Sequence, residues 1–150
     1  MNLRFFRYAI YILNIGILIL LSGCKSQKGD FSTGSNLETQ PWTHTEFDAS
    51  EEKFSFAVFS DLTGGERENI FEAGVAQINL LRPEFIVNVG DLIEGAGKDS
   101  MAWNKQWESF DERAYKARAP IFYTGGNHDL TGNIAHDIWK ARYGPSFYHF

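Results

Sequence analysis

The chain has one cysteine, Cys24, so no disulfide can form within it. It has no long basic run, and its net charge is −5. That balance excludes a surface built to hold a nucleic-acid backbone by charge. It also gives no general attraction for phosphate compounds, so any phosphate site has to be local. There is no internal repeat. The one long apolar run, Tyr8 to Leu21, is shorter than the roughly 20 residues that a membrane crossing needs. What the chain does have is apolar bulk. Hydrophobic residues make up 43% and aromatics 15%, which supports a core and excludes a disordered protein. About the first fifty residues have a non-globular pattern, leaving roughly one hundred for one small domain or part of a larger one.

Arg4 and Arg7 give the N-terminus a short basic start. The apolar run follows, softened by Asn14, and then Leu21-Ser22-Gly23-Cys24. Positive start, apolar middle and small residues at the cut are the layout of a secretory signal. The bland alternative is a short anchor that is never cleaved. The segment resembles bacterial lipoprotein signals, whose box reads Leu-Ser/Ala-Gly/Ala-Cys. The resemblance implies cleavage before Cys24 and acylation of that cysteine. Residues 1–24 are then a signal peptide and the protein is exported and membrane-anchored. In the Gram-negative lipoproteins that the segment resembles, an aspartate just after the cysteine favours inner-membrane retention; Lys25 and Ser26 stand there instead, so the resemblance implies a periplasmic or outer-membrane location. Residues 25–52, rich in Ser, Thr, Gly, Asn and Gln, read as a polar tether in which Trp42 and Phe47 pack onto the domain that follows.

Beyond residue 53 the pattern alternates. Phe54 to Phe59 is a short apolar run of strand formers ending at Ser60-Asp61. Glu66 to Leu81 is predicted helical, with Ile70, Phe71, Gly74, Val75, Ile78 and Leu81 at helical spacing and Arg82-Pro83 as its stop. Phe85 to Val89 is a second strand, ending at Gly90-Asp91. Lys98 to Arg118 is a second helix, with Trp103, Trp107, Phe110 and Ala114 on one face. Pro120 opens a third strand, Ile121 to Tyr123, which runs into Gly125-Gly126-Asn127-His128-Asp129. Ile134 to Arg142 reads as a short third helix and Ser146 to Phe150 as the start of a fourth strand. Strands alternating with helices imply an α/β fold on a parallel sheet. Nearly unbroken apolar strands imply a sheet covered on both faces.

Three polar clusters therefore sit at the C-terminal ends of three consecutive strands: Asp61, Asp91 and Asn127-His128-Asp129. That rim is where ligands bind in an open parallel sheet. Each residue has a bland reading. Asp61 is placed as a helix cap, Asp91 as a turn residue, and Asn127 as a left-handed turn residue. Taken singly, each bland reading is the better one. Their threefold recurrence at one structural position favours a site. Carboxylate, amide and imidazole donors suit hard and borderline divalent cations. A carboxylate shared between two such ions holds them about 3.5–4 Å apart.

These residues resemble the calcineurin-like metallophosphoesterase family. Its pattern is Asp-x-His, Gly-Asp-x-x-Asp, Gly-Asn-His-Asp/Glu, an isolated His and Gly-His-x-His. The chain has Asp61-Leu62-Thr63, Gly90-Asp91-Leu92-Ile93-Glu94 and Gly126-Asn127-His128-Asp129 in that order. The most specific element is Gly-Asn-His-Asp. The resemblance covers about Phe54 to Phe150. It implies the βαβαβ start of an α/β/β/α sandwich, a dinuclear centre of divalent ions (Mn, Fe or Zn), and hydrolysis of a phosphate mono- or diester. It further implies that Asp61 binds the first metal, Asp91 bridges both and Asn127 binds the second. His128 is then the general acid and Asp129 holds the His128 ring in one tautomer. A metal-bound hydroxide is the implied nucleophile.

The match has gaps. Thr63 stands where the family usually has a metal-binding His, and a threonine hydroxyl is a poor neutral ligand. The loop Thr63-Gly64-Gly65 has the makings of a phosphate cradle instead, through its hydroxyl and backbone N–H groups. Glu94 replaces the last Asp of its motif with longer reach and the same charge, a modest change. The isolated His and the Gly-His-x-His are absent. His44, His136 and His149 do not match them in context. The chain also stops inside a strand-like run, so the expectation is a fragment or early-terminated copy of a longer protein. A non-catalytic lipoprotein that keeps the scaffold as a binding module is the alternative. A covalent aspartyl-phosphate route through Asp61 is disfavoured, because Thr63 takes the place of its usual second aspartate. Substrate identity is left open among nucleotides, phospholipid head groups, sugar phosphates and phosphoproteins.

Overall fold

The computed structural model describes residues 31–33, 39–46, 53–97 and 99–150. The expected export signal with Cys24, together with Phe47 and Lys98, lies outside the described residues. In chain order the elements are β1 (Phe56–Phe59), α1 (Ile70–Leu81), β2 (Phe85–Asn88), α2 (Ser100–Ala114), β3 (Ile121–Tyr123), the short α3 (Asn127–Leu130) and α4 (Asn133–Tyr143). The three strands form one parallel sheet in the order β1-β2-β3. This is the expected α/β architecture. Among the described residues no helix is long and apolar enough to cross a membrane.

Register sets the position of the rim. Phe59 pairs with Asn88, and Asn88 pairs with Tyr123. All three strands therefore end at one level, and the loops carrying Asp61, Asp91 and Asn127 leave from the same edge.

The helices pack on one face of the sheet. In α2 the buried residues are Trp103, Trp107, Phe110 and Ala114, a spacing that puts them on one stripe. In α4 they are Ala135, Ile138, Trp139 and Tyr143. Phe110 meets Tyr123 of β3 at 5.5 Å between ring centroids, and Phe71 of α1 meets Phe59 of β1 at the same separation. Trp107 packs edge-on against Trp139 at 5.7 Å. Aromatic pairs of this kind add about 0.5–1.5 kcal/mol each beyond the area they bury.

The opposite face departs from expectation. Phe56 and Val58 of β1 remain 53% and 55% exposed. Among the described residues that face is covered only near β2 and β3, where Phe150 stacks on Phe122 at 3.9 Å and meets Phe85 edge-on.

The element ends also differ from the sequence-based ranges, for local reasons. α1 starts at Ile70 rather than Glu66, because the backbone N–H of Glu66 donates to the Glu94 carboxylate and its side chain pairs with Arg113 of α2. α2 starts after Asp99, whose side chain accepts the Ala102 N–H at 2.9 Å as an N-cap. A cap of this kind is worth about 1 kcal/mol. α2 stops at Ala114 rather than Arg118. There the Asn79 side chain of α1 takes the Lys116 carbonyl and the Arg118 N–H, groups a longer helix needs for itself.

Ser146 to Phe150 does not form a strand. The open edge of β3 is already occupied by residues 41–43 of the expected tether. Trp42 bridges antiparallel to Phe122, the Tyr123 N–H donates to the Pro41 carbonyl at 2.7 Å, and the Thr43 N–H donates to the Ile121 carbonyl at 3.1 Å. Trp42 is buried. Tyr148 then caps this strap, its hydroxyl donating to the Pro41 and Tyr123 carbonyls.

Candidate metal centre

The two motif aspartates share an unusual backbone. Asp61 and Asp91 both have φ near 58°, the left-handed region that few non-glycine residues enter. Each sits just past the end of a strand and turns the chain sharply there. Backbone strain of this kind costs on the order of 1 kcal/mol or more and persists where surrounding bonds fix it. Those bonds are visible. The Asp61 N–H donates to the Gly90 carbonyl at 3.2 Å, and the Leu62 N–H donates to the Asp91 carbonyl at 2.8 Å. The β1 and β2 loops are thus zipped together beyond the sheet. Asp61 is not a helix cap, since α1 begins only after Asn69.

Asp91 also reaches the third loop. Its Oδ1 accepts the backbone N–H of His128 at 2.9 Å. Among the described residues nothing donates to its Oδ2. Gly126 makes this approach possible: a Cβ there would lie 2.2 Å from Asp91 Oδ1 and 2.5 Å from Asp91 N. Gly90 faces Gly126 in the same crossing, where a Cβ on Gly90 would fall 2.7 Å from the Gly126 backbone. Asn127 opens α3 rather than a left-handed turn, and it is exposed at the rim.

Asp129 does something other than the family role implied from sequence. Its carboxylate does not touch the His128 ring. It is fully buried and accepts four backbone N–H groups: Asp91 and Gly126 at Oδ2, at 2.7 and 2.8 Å, and Leu92 and Ile93 at Oδ1, at 2.9 and 3.3 Å. Burial pushes its carboxyl above the usual carboxylate range, while these amides pull the other way. Consecutive helical residues point in different directions, so Asp129 turns inward while His128 stays at the surface. The His128 ring is held instead by the Glu94 carbonyl, 2.7 Å from Nδ1. A carbonyl only accepts, so Nδ1 carries hydrogen and Nε2 faces outward as the exchangeable position. That carbonyl, with the charges of Asp91, Glu94 and Asp129, raises the His128 pKa against a downward pull from desolvation.

The Thr63-Gly64-Gly65 cradle is already filled. Its N–H groups at Gly64 and Gly65 donate to the Glu94 carboxylate at 3.2 and 2.8 Å. They hold Glu94 below the usual carboxylate range. The expectation of a backbone cradle open to phosphate is corrected accordingly.

Two contributors were missed. Asn88 is fully buried at the end of β2, accepting the Gly90 N–H at Oδ1 and donating through Nδ2 to the Phe59 carbonyl. It braces the β1 and β2 loops from below. Its signal was a lone polar residue inside an apolar strand run. Gln106 of α2 supports the chain just after Glu94 through the Gly95 N–H and the Ala96 carbonyl. No local pattern marked it. His136 and His149 are exposed and stand apart from this cluster, and His44 accepts the Glu46 N–H.

The donor set of Asp61, Asp91 and Asn127 is chemically suited to a hard divalent cation, and the unpaired Asp91 Oδ2 is a ready ligand. Among the described residues no group of three His, Cys, Asp or Glu side chains converges to hold a metal.

The family profile for calcineurin-like phosphoesterases matches residues 54–150. No curated protein and no solved structure matches the chain. Members of the profiled family are phosphoesterases and typically bind two metal ions. The matched stretch holds the whole parallel sheet and every residue of the rim, and the chain belongs to the calcineurin-like phosphoesterase family.

Proposed function

We propose that the protein hydrolyses phosphate mono- or diesters with two divalent cations held at the rim. Asp91 carries this reading. Its backbone is strained, its Oδ1 is fixed by the His128 N–H, its Oδ2 accepts nothing among the described residues, and its loop is bonded to the Asp61 loop. Asp61 would hold the first ion, Asp91 both, and Asn127 the second. When bound, the ions supply a nucleophile from water and neutralise the phosphoryl charge. His128 Nε2 gives its proton to the leaving oxygen. Asp129 acts through the backbone, by fixing the Asp91 loop, and so is a positioning residue. Mn, Fe and Zn all suit these donors.

The test is turnover of a generic phosphodiester by the full chain with manganese. Turnover that is lost in His128→Ala supports the enzyme. Metal binding with no turnover supports a second reading, a binding module on the same scaffold, which Thr63 in place of a histidine ligand favours. Thr63→His separates the two further. It should tighten manganese binding if the site lacks that ligand, and unchanged affinity sinks the idea. We also read residues 1–24 as a lipoprotein signal that leaves the protein exported and membrane-anchored at Cys24. Mass spectrometry of the processed N-terminus tests this, an unmodified Cys24 being the outcome against it.

A further inference from the structure

We propose that Glu94 is a positioning residue that clamps the loop bearing Asp61 and Thr63 while its own carbonyl sets the His128 ring. The proposal rests on the phosphoesterase reading. One residue makes both attachments. Its carboxylate takes the N–H groups of Gly64, Gly65 and Glu66 at 3.2, 2.8 and 3.4 Å. Its carbonyl lies 2.7 Å from His128 Nδ1. The longer glutamate side chain spans from the β2 loop to the β1 loop.

The neighbours leave little slack. A Cβ on Gly95 would lie 2.0 Å from the His128 carbonyl oxygen, and Gly95 has φ near 67°. The chain thus passes directly against His128 at the point where Glu94 ends. Gln106 holds the Gly95 N–H at 3.2 Å and the Ala96 carbonyl at 2.6 Å. On the far side of the clamp, the Glu66 side chain pairs with Arg113, and the Arg113 guanidinium lies 5.4 Å from the centre of the Phe71 ring. The β1 loop is therefore tied to α2 by Glu66 and to the β2 loop by Glu94. With the carboxylate gone, the first tie remains and the second is lost. The peptide between residues 94 and 95 then keeps its bond to Gln106 but loses its tie to the β1 loop, and the ring of His128 loses its fixed acceptor.

The experiment uses the full chain, labelled with nitrogen-15 and free of metal, at a pH where the His128 ring is neutral. In Glu94→Ala, hydrogen exchange at the Gly64 and Gly65 amides should quicken about tenfold or more. Leu92 and Ile93 should keep their protection, because Asp129 holds them independently. The His128 ring should shift from the Nδ1–H tautomer to a mixture. Glu94→Gln keeps the reach and one acceptor oxygen, so it should restore part of both signals. It also stands in if the alanine variant does not fold. With manganese, kcat on a phosphodiester should fall about tenfold in Glu94→Ala with little change in KM. Unchanged exchange at Gly64 and Gly65, or an unchanged ring tautomer, overturns the proposal. Absence of turnover in the unaltered protein overturns the phosphoesterase reading instead and leaves the exchange and ring signals to decide the clamp.

Discussion

Asp129 Oδ2 accepts the backbone N–H of Asp91 at 2.7 Å, so one motif's last residue holds the other motif's metal-binding candidate. The Asp129 side chain is fully buried and also takes the N–H groups of Leu92, Ile93 and Gly126. Asp129→Ala leaves these donors without partners. Each unsatisfied buried donor costs about 1–3 kcal/mol. We expect a loss of at least about 3 kcal/mol of stability, read from urea unfolding. Asp129→Asn puts an amide N–H₂ among donors and should also destabilise the fold. A variant as stable as the parent would show that the loop is held by something else.

Gly126 is needed for space, not for conformation. Its φ is −91°, which any residue adopts, yet a Cβ would press to 2.2 Å from Asp91 Oδ1. Gly126→Ala should therefore cost about 1–3 kcal/mol through forced displacement, and should weaken manganese binding at Asp91. Gly74 is the control. It lies in α1 with nothing within 4 Å of an added Cβ, so Gly74→Ala should gain about 0.5–1 kcal/mol from helix propensity. Thermal unfolding of the two variants should move in opposite directions.

How much of this was legible follows from what each residue depends on. The strands were readable because Phe56–Phe59, Phe85–Asn88 and Ile121–Tyr123 are apolar runs punctuated by glycine or proline, a local signal. The rim was readable because the fold repeats strand, polar cluster and helix. The role of Asp129 was not, because the resemblance implied a contact with the His128 ring, whereas its carboxylate turns inward to four backbone N–H groups and the ring meets the Glu94 carbonyl. The glycine loop looked like a cradle for an external anion, and nothing local showed that Glu94 fills it. Residues 41–43 looked like tether by composition. Only a long-range pairing with β3 makes them a strap. The helix ends were misplaced where a side chain from another element, Asn79 or Glu94, took the backbone groups that a further turn needs.

Acid should loosen the start of the sheet through Glu84. Its carboxylate accepts the Ser55 backbone N–H at 2.6 Å and the Ser55 hydroxyl at 2.9 Å. The backbone bond first, then the hydroxyl, hold its pKa below the usual carboxylate range. A folded-state pKa below the unfolded one means that folding favours the ionised form. The contribution is whole above the free glutamate value of about 4.3 and is lost as pH falls through the lower folded value. Glu84→Gln removes the titration. The variant should be less stable than the parent at about pH 6, and the gap should close near about pH 3. A gap of constant size across that range would mean that Glu84 contributes no such linkage. The carboxylate is solvent-exposed, so salt should shrink the effect.

The strap makes the most direct claim on the region before the sheet. Trp42 is 5% exposed and its ring lies 5.9 Å from that of Phe122 and 5.6 Å from that of Tyr148. A tether that only links an anchor to a domain has no reason to bury its largest side chain. Trp42→Ala should cost about 3–5 kcal/mol, the usual range for emptying a buried tryptophan site. Trp42→Phe tests the same contact differently. Among the described residues the buried indole Nε1 has no hydrogen-bond partner, so the phenyl ring keeps much of the packing and removes an unsatisfied donor. The phenylalanine variant should therefore lie far closer to the parent than the alanine variant in urea unfolding. The β3 edge gives a second measure, because Tyr123 and Thr43 donate across it to the Pro41 and Ile121 carbonyls. Hydrogen exchange at the Tyr123 amide should rise in Trp42→Ala and stay slow in Trp42→Phe. Equal stability of the alanine variant and the parent would return residues 41–43 to the status of a spacer. The expected loss would make them a structural part of the sheet.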